Sequence, residues 1–523
     1  MKCKKIMTSL LAASMTATFV FSGCGGNSNS NTGSSGDSDS STANGGTVDE
    51  YSTEINMDEE PYTVAIQVVT LPGTEYAGEE DRENAINAII EPAINCKIDI
   101  QEVWISELAN TTSMAVAGNE KIDLVHVGTV NPLSALVGSD ILLDMNEGNL
   151  LQNRGQKLVE LFGNRLGSGN VGGRQLAVPA QVYSANVNGF GYNKTWADAH
   201  NIEVPEQMTI DEFDELLYQV HEADPEIMPT FSGSGTLNGL AFLVGYEDFG
   251  TEASYGAILD SSEDTTIVNL YDSQLFRDYC LRAYRWTRDG LQPGDPTDTN
   301  TAQDYFFAQS LFCVIGSVGP KQQVSFGSSA ASAGFETGSC IFTEPRDTNA
   351  TVTEYMWGIA VNCERPDKAM DLLNFIYTEG SVADILLYGL EGENYEFQEG
   401  SDDVIVANGT YEPGFLFIGD ESQTYIKAPA GEDYIDQLKD IQENAIVSPI
   451  CGYVFDDSNF QTQSSVIYST IQEYLPRLQN GMCESEDATL ALVDEFVERL
   501  EAAGINEVIA ANQEQLDAYL TAQ

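Results

Sequence analysis

The chain has 523 residues, of which 81 are Asp or Glu and 23 are Lys or Arg, giving a net charge of −58. A surface of that sign repels nucleic-acid phosphates and anionic lipid, which excludes a nucleic-acid-binding class and leaves most carboxylates as a solvating face. The length beyond the first sixty residues exceeds what one hydrophobic core serves, so two or three lobes are expected.

The chain opens on Lys2, Lys4 and Lys5, a mostly apolar run from Ile6 to Phe21, and Ser22-Gly23-Cys24. That order reads as a bacterial lipoprotein signal covering 1–23, cut before Cys24 so that its thiol takes a lipid. Acyl chains gain about 0.8 kcal/mol per buried methylene, so the chain is expected to be anchored to a membrane without spanning it. Gly25 to Thr47 is almost wholly Gly, Ser, Asn, Thr and Asp, too poor in apolar surface to order, and 24–58 is read as a disordered tether. No later run approaches the length of a transmembrane helix, which places the rest on the extracellular face. Seven cysteines follow Cys24, at 96, 280, 313, 340, 363, 451 and 483. Their odd number and lack of CxxC spacing suit small buried hydrophobes better than a disulfide framework, with one or two pairs left open.

Tyr62 to Leu71 reads as a buried strand, followed by a helix carrying Ala85, Ile86, Ile89 and Ile90, a strand from Lys97 to Val103, a helix capped by Ser106 and ending near Gly118, and a strand from Ile122 to Val127. Such repetition predicts an α/β lobe with a parallel sheet. A second lobe is expected after Gln175–Ala180. Val182 to Tyr192 reads as extended, and Thr209 caps an amphipathic helix with Phe213, Leu216, Leu217 and Val220 on one face. A helix spans Ser273 to Asp289, strands run over Phe312–Gly316 and Met356–Val361, and a helix surrounds Ala369 to Ile376. The remainder is mainly helical, near 432–446, 464–475, 487–503 and 507–521.

The segments Gly172-Gly-Arg-Gln-Leu-Ala-Val-Pro179, Gly191-Tyr-Asn-Lys194, Pro205 and Thr209-Ile-Asp-Glu-Phe213 occur in an order that resembles family 1 extracellular solute-binding proteins, the group of maltodextrin-binding protein. Phe307 to Gly316, Trp357-Gly-Ile-Ala360 and Pro366-Asp-Lys-Ala369 continue the likeness. Tyr388-Gly-Leu-Glu-Gly-Glu-Asn-Tyr395, Gly452-Tyr-Val-Phe-Asp456 and Ala503-Gly-Ile505 are similar to a lipoprotein subgroup whose C-terminal region was long of unknown function. The resemblance implies a two-lobed periplasmic-binding-protein-like α/β fold (type II), with a hinge of three crossings and a helical C-terminal part. It divides the chain into lobe I at 59–185 and 320–378 and lobe II at 186–319 and 379–523, crossing near 182–190, 313–320 and 375–380. It also implies a carbohydrate ligand, an oligosaccharide, held in the cleft of a monomer that serves ABC permease subunits.

A sugar presents C–H faces and a rim of hydroxyls, so its site needs flat rings and planar polar groups. Trp357 opens a strand near the interlobe region, and Trp286 shares a helix with Tyr279 and Tyr284; a plain core role competes for both. Loops at the C-terminal edge of a parallel sheet are where α/β proteins hold ligands, which points to Glu75 and Tyr76 after the first strand and to Gly128 and Thr129 after the third. Gln181 and Tyr183 lie where the chain enters the first crossing, and Ser317 follows a strand; for these the competing reading is an ordinary loop or hinge residue. His126, His200 and His221 lack metal-ligand spacing, there is no GxSxG or Walker loop, and Gly167 to Gly172 is followed by a strand. No enzyme activity, metal or cofactor is therefore expected. A peptide cargo and a cell-surface glycoside hydrolase are the alternatives.

Overall fold

The computed structural model describes residues 50–71, 76–128, 130–231, 240, 243–261, 264–293, 301–413 and 417–522. The signal segment, Cys24 and the tether up to residue 49 lie outside them. Residues 50–58, expected as tether, are instead fixed to the first lobe: Arg154 donates to the carbonyls of Ser52 at 3.1 Å and Glu54 at 2.6 Å, and Tyr51 and Ile55 pack against the core. A buried guanidinium needs acceptors on every edge, and these carbonyls supply them.

Strand β1 (Tyr62–Thr70) is buried from Val64 onward, the pattern of a strand covered on both faces. Helix α1 (Glu79–Ile94) carries three acids in its first turn and turns Ile86, Ile90 and Ile94 inward at four-residue spacing. Strand β2 (Cys96–Trp104) runs parallel to β1 along its whole length, Tyr62 opposite Cys96 and Thr70 opposite Trp104. Helix α2 (Leu108–Gly118) starts one residue later than expected, with Glu107 rather than Ser106 at its cap. Strand β3 (Leu124–Gly128) lies on the other side of β1. After β4 (Val178–Pro179) the chain leaves this sheet and enters a second one through β5 (Asn188–Asn193).

Helix α3 (Ile210–Ala223) begins with a capping box: the Thr209 hydroxyl accepts from the Glu212 N–H, and the Glu212 carboxylate accepts from the Thr209 N–H at 2.8 Å. Ser273 caps α4 (Gln274–Arg288). Strand β6 (Cys313–Ser317), helix α5 (Pro320–Ala333) and strand β7 (Thr337–Ile341) follow, and both strands pair antiparallel with β5. The chain then returns through β8 (Tyr355–Ile359), α6 (Pro366–Ile376) and α7 (Gly380–Tyr388), and ends in α8 (Tyr434–Asn444), α9 (Gln461–Gln479), α10 (Glu486–Ala502) and α11 (Ile505–Ala522).

The first sheet is ordered β2-β1-β3-β8-β4 and the second β6-β5-β7. Because β8 enters antiparallel to β3 and β4, the first sheet is mixed rather than purely parallel. Each sheet has its own core. One gathers Val64, Ile66, Leu124, Trp357 and Leu372, and the other Phe190, Phe213, Trp286 and Phe496 with the C-terminal helices. In α9, Ile467, Ile471, Leu475 and Leu478 form one apolar stripe, and from α10 Phe496 packs on Tyr474 with rings 5.2 Å apart. All seven cysteines after Cys24 are free thiols.

Two of the expected lobe boundaries are displaced. β7 pairs with β5, so residues 320–341 stay with the second sheet and the return crossing lies between Ile341 and Tyr355, not at 313–320. Residues 379 to about 430 pack on the first lobe rather than the second. Val382, Leu386 and Ile418 pack into the first-lobe core, the Gln181 N–H donates to the Gly419 carbonyl at 3.0 Å, and the Glu421 N–H donates to the Gln181 carbonyl at 2.9 Å. The last crossing therefore lies beyond Lys427, not at 375–380. Strand-like segments of the three crossings sit side by side, Asn186 against Arg346 and Arg346–Asp347 against Ile446–Val447. A one-dimensional pattern of strands and helices does not say which sheet an element joins; hydrogen-bond pairing does.

Asp384 on α7 is buried, and desolvation pushes its carboxyl up to about 7 although it accepts the Tyr425 N–H at 2.8 Å. Its unfolded value is near 3.9. Below both values the group is neutral in either state and costs nothing. As pH rises from about 4 to 7 the unfolded chain ionises first, so stability falls across that window and stays low above it. Asp384→Asn keeps an acceptor for Tyr425 and is expected to stabilise the protein by on the order of 2 kcal/mol at pH 8 and by nothing at pH 4. Thermal melts at the two pH values check this; an equal gap at both would remove the explanation.

Candidate ligand-binding groove

Three cavities follow one another between the lobes. The first, of about 530 Å³, has one wall from the β3 end and the residues before β8 (Gly128, Pro132, Leu133, Glu354) and the other from residues 245–250, Tyr255 and residues 453–455. Asn186, Asn188 and Arg346, from the crossings, form its back. Gly128 has φ near 149°, and a Cβ there would stand 2.1 Å from the Glu354 carbonyl oxygen, so this wall closes only around a residue without a side chain.

The ring wall is held from behind. Tyr255 meets Phe455 edge-on at 5.3 Å, and Phe249 meets Tyr453 at 5.8 Å. The Tyr255 hydroxyl donates to Asp457, the Tyr453 hydroxyl donates to Asn512 Oδ1 at 2.7 Å, and Asn512 Nδ2 donates to the Tyr255 carbonyl at 2.9 Å. Helix α11, which carries Asn512, thus fixes the orientation of the rings. Tyr255 is the partly exposed member of the set, and Phe249, Tyr453 and Phe455 are buried behind and beside it.

The polar groups of this cavity are poorly satisfied within the described residues. Glu247 is 7 % exposed, yet neither carboxylate oxygen has a hydrogen-bond partner, and neither does the buried Nε of Arg346, whose Nη2 lies 3.5 Å from Asp260. Leaving such groups unpaired costs about 1–3 kcal/mol each, more when charged, which is tolerable at a place built to receive hydrogen bonds from elsewhere. Asp248 is exposed at the cleft, and burial raises the Glu354 carboxyl.

The second cavity, about 250 Å³, lies along Tyr183, Ser184, Ser317 and the start of α5, and shares Asn186 and Glu354 with the first. The third, about 510 Å³, opens between α5, the end of α7 and residues 411–435, and shares Val182, Lys321 and Phe417 with the second. At that junction Lys321 of the second lobe pairs with Glu421 of the first at 2.8 Å, and Glu421 also accepts the Tyr183 N–H at 2.8 Å.

The residues expected from sequence divide three ways. Gln181, Tyr183 and Ser317 lie on the second and third cavities. Gln181 Oε1 accepts from Arg165 at 3.1 Å. Tyr76 is beside the groove, its hydroxyl donating to the Glu412 carbonyl and its ring edge-on to Tyr411. Glu75 and Thr129 lie outside the described residues. Both tryptophans are core residues and present no ring face to a ligand. Trp286 is 1 % exposed with its N–H donating to Asp214 at 2.8 Å, and Trp357 is fully buried with its N–H donating to the Phe417 carbonyl at 2.9 Å. An indole buries the largest apolar area of any side chain, and where its one donor finds a partner inside, the core outcompetes the cleft. The ring wall at 246–255 and 453–455, with Glu247, Asp248 and Arg346, is missing from the sequence expectations. Only Tyr453-Val-Phe455 gave a signal, as part of the family-like stretch.

Residues 449–521 match a family model described as a domain of unknown function, DUF3502. A carbohydrate ABC transporter substrate-binding protein from Streptococcus pneumoniae serotype 4 (strain ATCC BAA-334 / TIGR4) is 24 % identical over 447 residues, covering 83 % of this chain and 87 % of that protein. The chain has the fold of the extracellular solute-binding proteins. The crystal structure of the N-glycan transport solute-binding protein NgtS from Streptococcus pneumoniae superposes with a TM-score of 0.73 at 20 % identity, covering 88 % of this chain and 99 % of that one. Its complex with Man5GlcNAc gives 0.62 at 21 % identity over the same shares. An extracellular solute-binding protein from Bifidobacterium longum subsp. infantis gives 0.63 at 16 %, covering 89 % of this chain and 100 % of that one. Each of these relatives is named as a solute- or substrate-binding protein. In this solute-binding fold the DUF3502 stretch is no appendage: it supplies Tyr453 and Phe455 to the groove and α9 to α11 to the core of the second lobe.

Proposed function

We propose that the protein captures a carbohydrate in its interlobe groove and delivers it to an ABC-type importer, while a lipid on Cys24 holds it, as a monomer, at the outer face of the membrane. The observation that carries the ligand class is the first cavity. A partly exposed ring backed by locked aromatics lines the same cavity as the Glu247 carboxylate and the Arg346 Nε, which lack hydrogen-bond partners among the described residues, and this suits the C–H face and hydroxyl rim of a sugar. The 24 %-identical relative, named for carbohydrate transport, supports the same class.

Binding works by population shift. A sugar that touches Tyr255 from one lobe and the Gly128 wall from the other favours closure through contacts that an open arrangement cannot make. The side-by-side crossings give that motion a narrow waist, and a permease would read the closed form. The lipid anchor rests on Lys2 to Cys24 alone; Cys24→Ala is expected to release the protein into the medium, and retention on the cells would refute the anchor.

Calorimetric titration against a panel of oligosaccharides and peptides, with chromatography of the products, tests the ligand class. Saturable binding of an oligosaccharide without turnover is expected. Binding confined to peptides, or release of shorter sugars, would overturn the reading.

A further inference from the structure

The third cavity is nearly as large as the first, about 510 Å³ against 530 Å³, and lies on the far side of the Lys321–Glu421 pair. Its walls come from both lobes: α5 on one side, the end of α7 and the 411–430 segment on the other, and the start of α8 beneath. Its chemistry repeats that of the first cavity with different residues. Tyr388, Phe417, Tyr425 and Tyr434 supply rings, and Lys321 and Lys427 supply cations held by Glu421 at 2.8 Å and Glu412 at 2.6 Å.

An apolar chain would be poorly served by a chamber lined with two ion pairs, and a small ion would have no use for the rings. A sugar uses both, its faces on the tyrosines and its hydroxyls on the charged groups. The middle cavity joins the two larger ones through shared walls, Asn186 and Glu354 on one side and Val182, Lys321 and Phe417 on the other.

Resting on the carbohydrate reading, we infer that the third cavity is a second sugar-binding chamber for the same ligand, so the preferred cargo is an oligosaccharide long enough to run from the Tyr255 ring wall past the Lys321–Glu421 pair to Tyr434. Two chambers joined by a narrow middle bind a long ligand as two linked ligands are bound, the second contact being gained at little further entropic cost. A disaccharide fills one chamber only.

The test is isothermal titration with gluco- and manno-oligosaccharide ladders from disaccharide to heptasaccharide, on the wild type and on Tyr434→Ala and Lys427→Ala. Affinity is expected to rise at least about ten-fold between the shortest and longest members of the ladder that binds. Tyr434→Ala is expected to remove about five- to ten-fold from the long members and to leave the disaccharide unchanged. Lys427 is exposed, so Lys427→Ala is expected to fold normally and to show a smaller, equally length-selective loss; it decides the matter if Tyr434→Ala does not fold. A ladder flat beyond the disaccharide, or losses equal at every length, overturns the second chamber while leaving carbohydrate binding intact. No binding by any member, in the wild type, overturns the carbohydrate reading itself and the second chamber with it.

Discussion

Tyr255→Ala is expected to weaken carbohydrate binding by about 10- to 100-fold, because truncating a central aromatic at a recognition site removes roughly 1.5–3 kcal/mol. The ring is the partly exposed aromatic lining the first cavity, and its neighbours Phe455 and Asp457 hold it in a single orientation. Tyr255→Phe separates the two contributions. It keeps the face and gives up the hydrogen bond to Asp457, so a loss of only a few-fold is expected from the freer ring. Titration of both variants beside the wild type reads the difference, with thermal melts to show that each is folded. If the alanine variant binds as tightly as the wild type, the cavity is not the sugar site. If phenylalanine costs as much as alanine, the hydroxyl rather than the face is being read.

Trp357→Ala is expected to destabilise the first lobe by about 3–5 kcal/mol, the usual cost of deleting a buried indole, and to leave the Phe417 carbonyl without its donor. Trp357 lies one layer behind the groove. Its N–H fixes the backbone at Phe417, which lines the second and third cavities, and its ring packs edge-on to His126 at 5.6 Å. Trp357→Phe keeps most of the volume and is expected to cost roughly 1–3 kcal/mol, chiefly for the unpaired carbonyl. Denaturant unfolding measures both. A tryptophan that stacked directly on a sugar would behave in the opposite way: the alanine variant would unfold like the wild type and fail to bind. That outcome would return Trp357 to the ligand site.

The contrast between Trp357 and Tyr255 shows where sequence reasoning reached and where it stopped. A tryptophan at the head of a strand near a crossing looks like a platform for sugar, and the strand itself, Tyr355–Ile359, lies within two residues of its expected place. Whether the indole faces the cleft or the core depends on what covers it, and the covering residues, Phe417 and His126, lie far away in sequence. Tyr255 occupies a stretch with no helical or strand periodicity, between a two-residue hairpin arm at Glu247–Asp248 and another at Ala257–Ile258. No local pattern marks such a segment as a wall.

The elements and their class follow from the local order of residues. Tyr62–Thr70 is a strand because its run of β-branched residues suits burial on both faces, and Ile210–Ala223 is a helix because Thr209 and Glu212 close its first turn while four apolar residues share one side. Those are interactions between near neighbours, which the order of residues specifies directly. Which lobe each element joins, where the three crossings run, and which side chains form the groove depend on long-range packing. The pairing of Thr337–Ile341 with Asn188–Asn193, and the seating of residues 411–430 on the first lobe, bring together groups up to hundreds of positions apart. Such contacts are settled by competition for burial and for hydrogen-bond partners across the whole chain, and no short window of sequence contains both competitors.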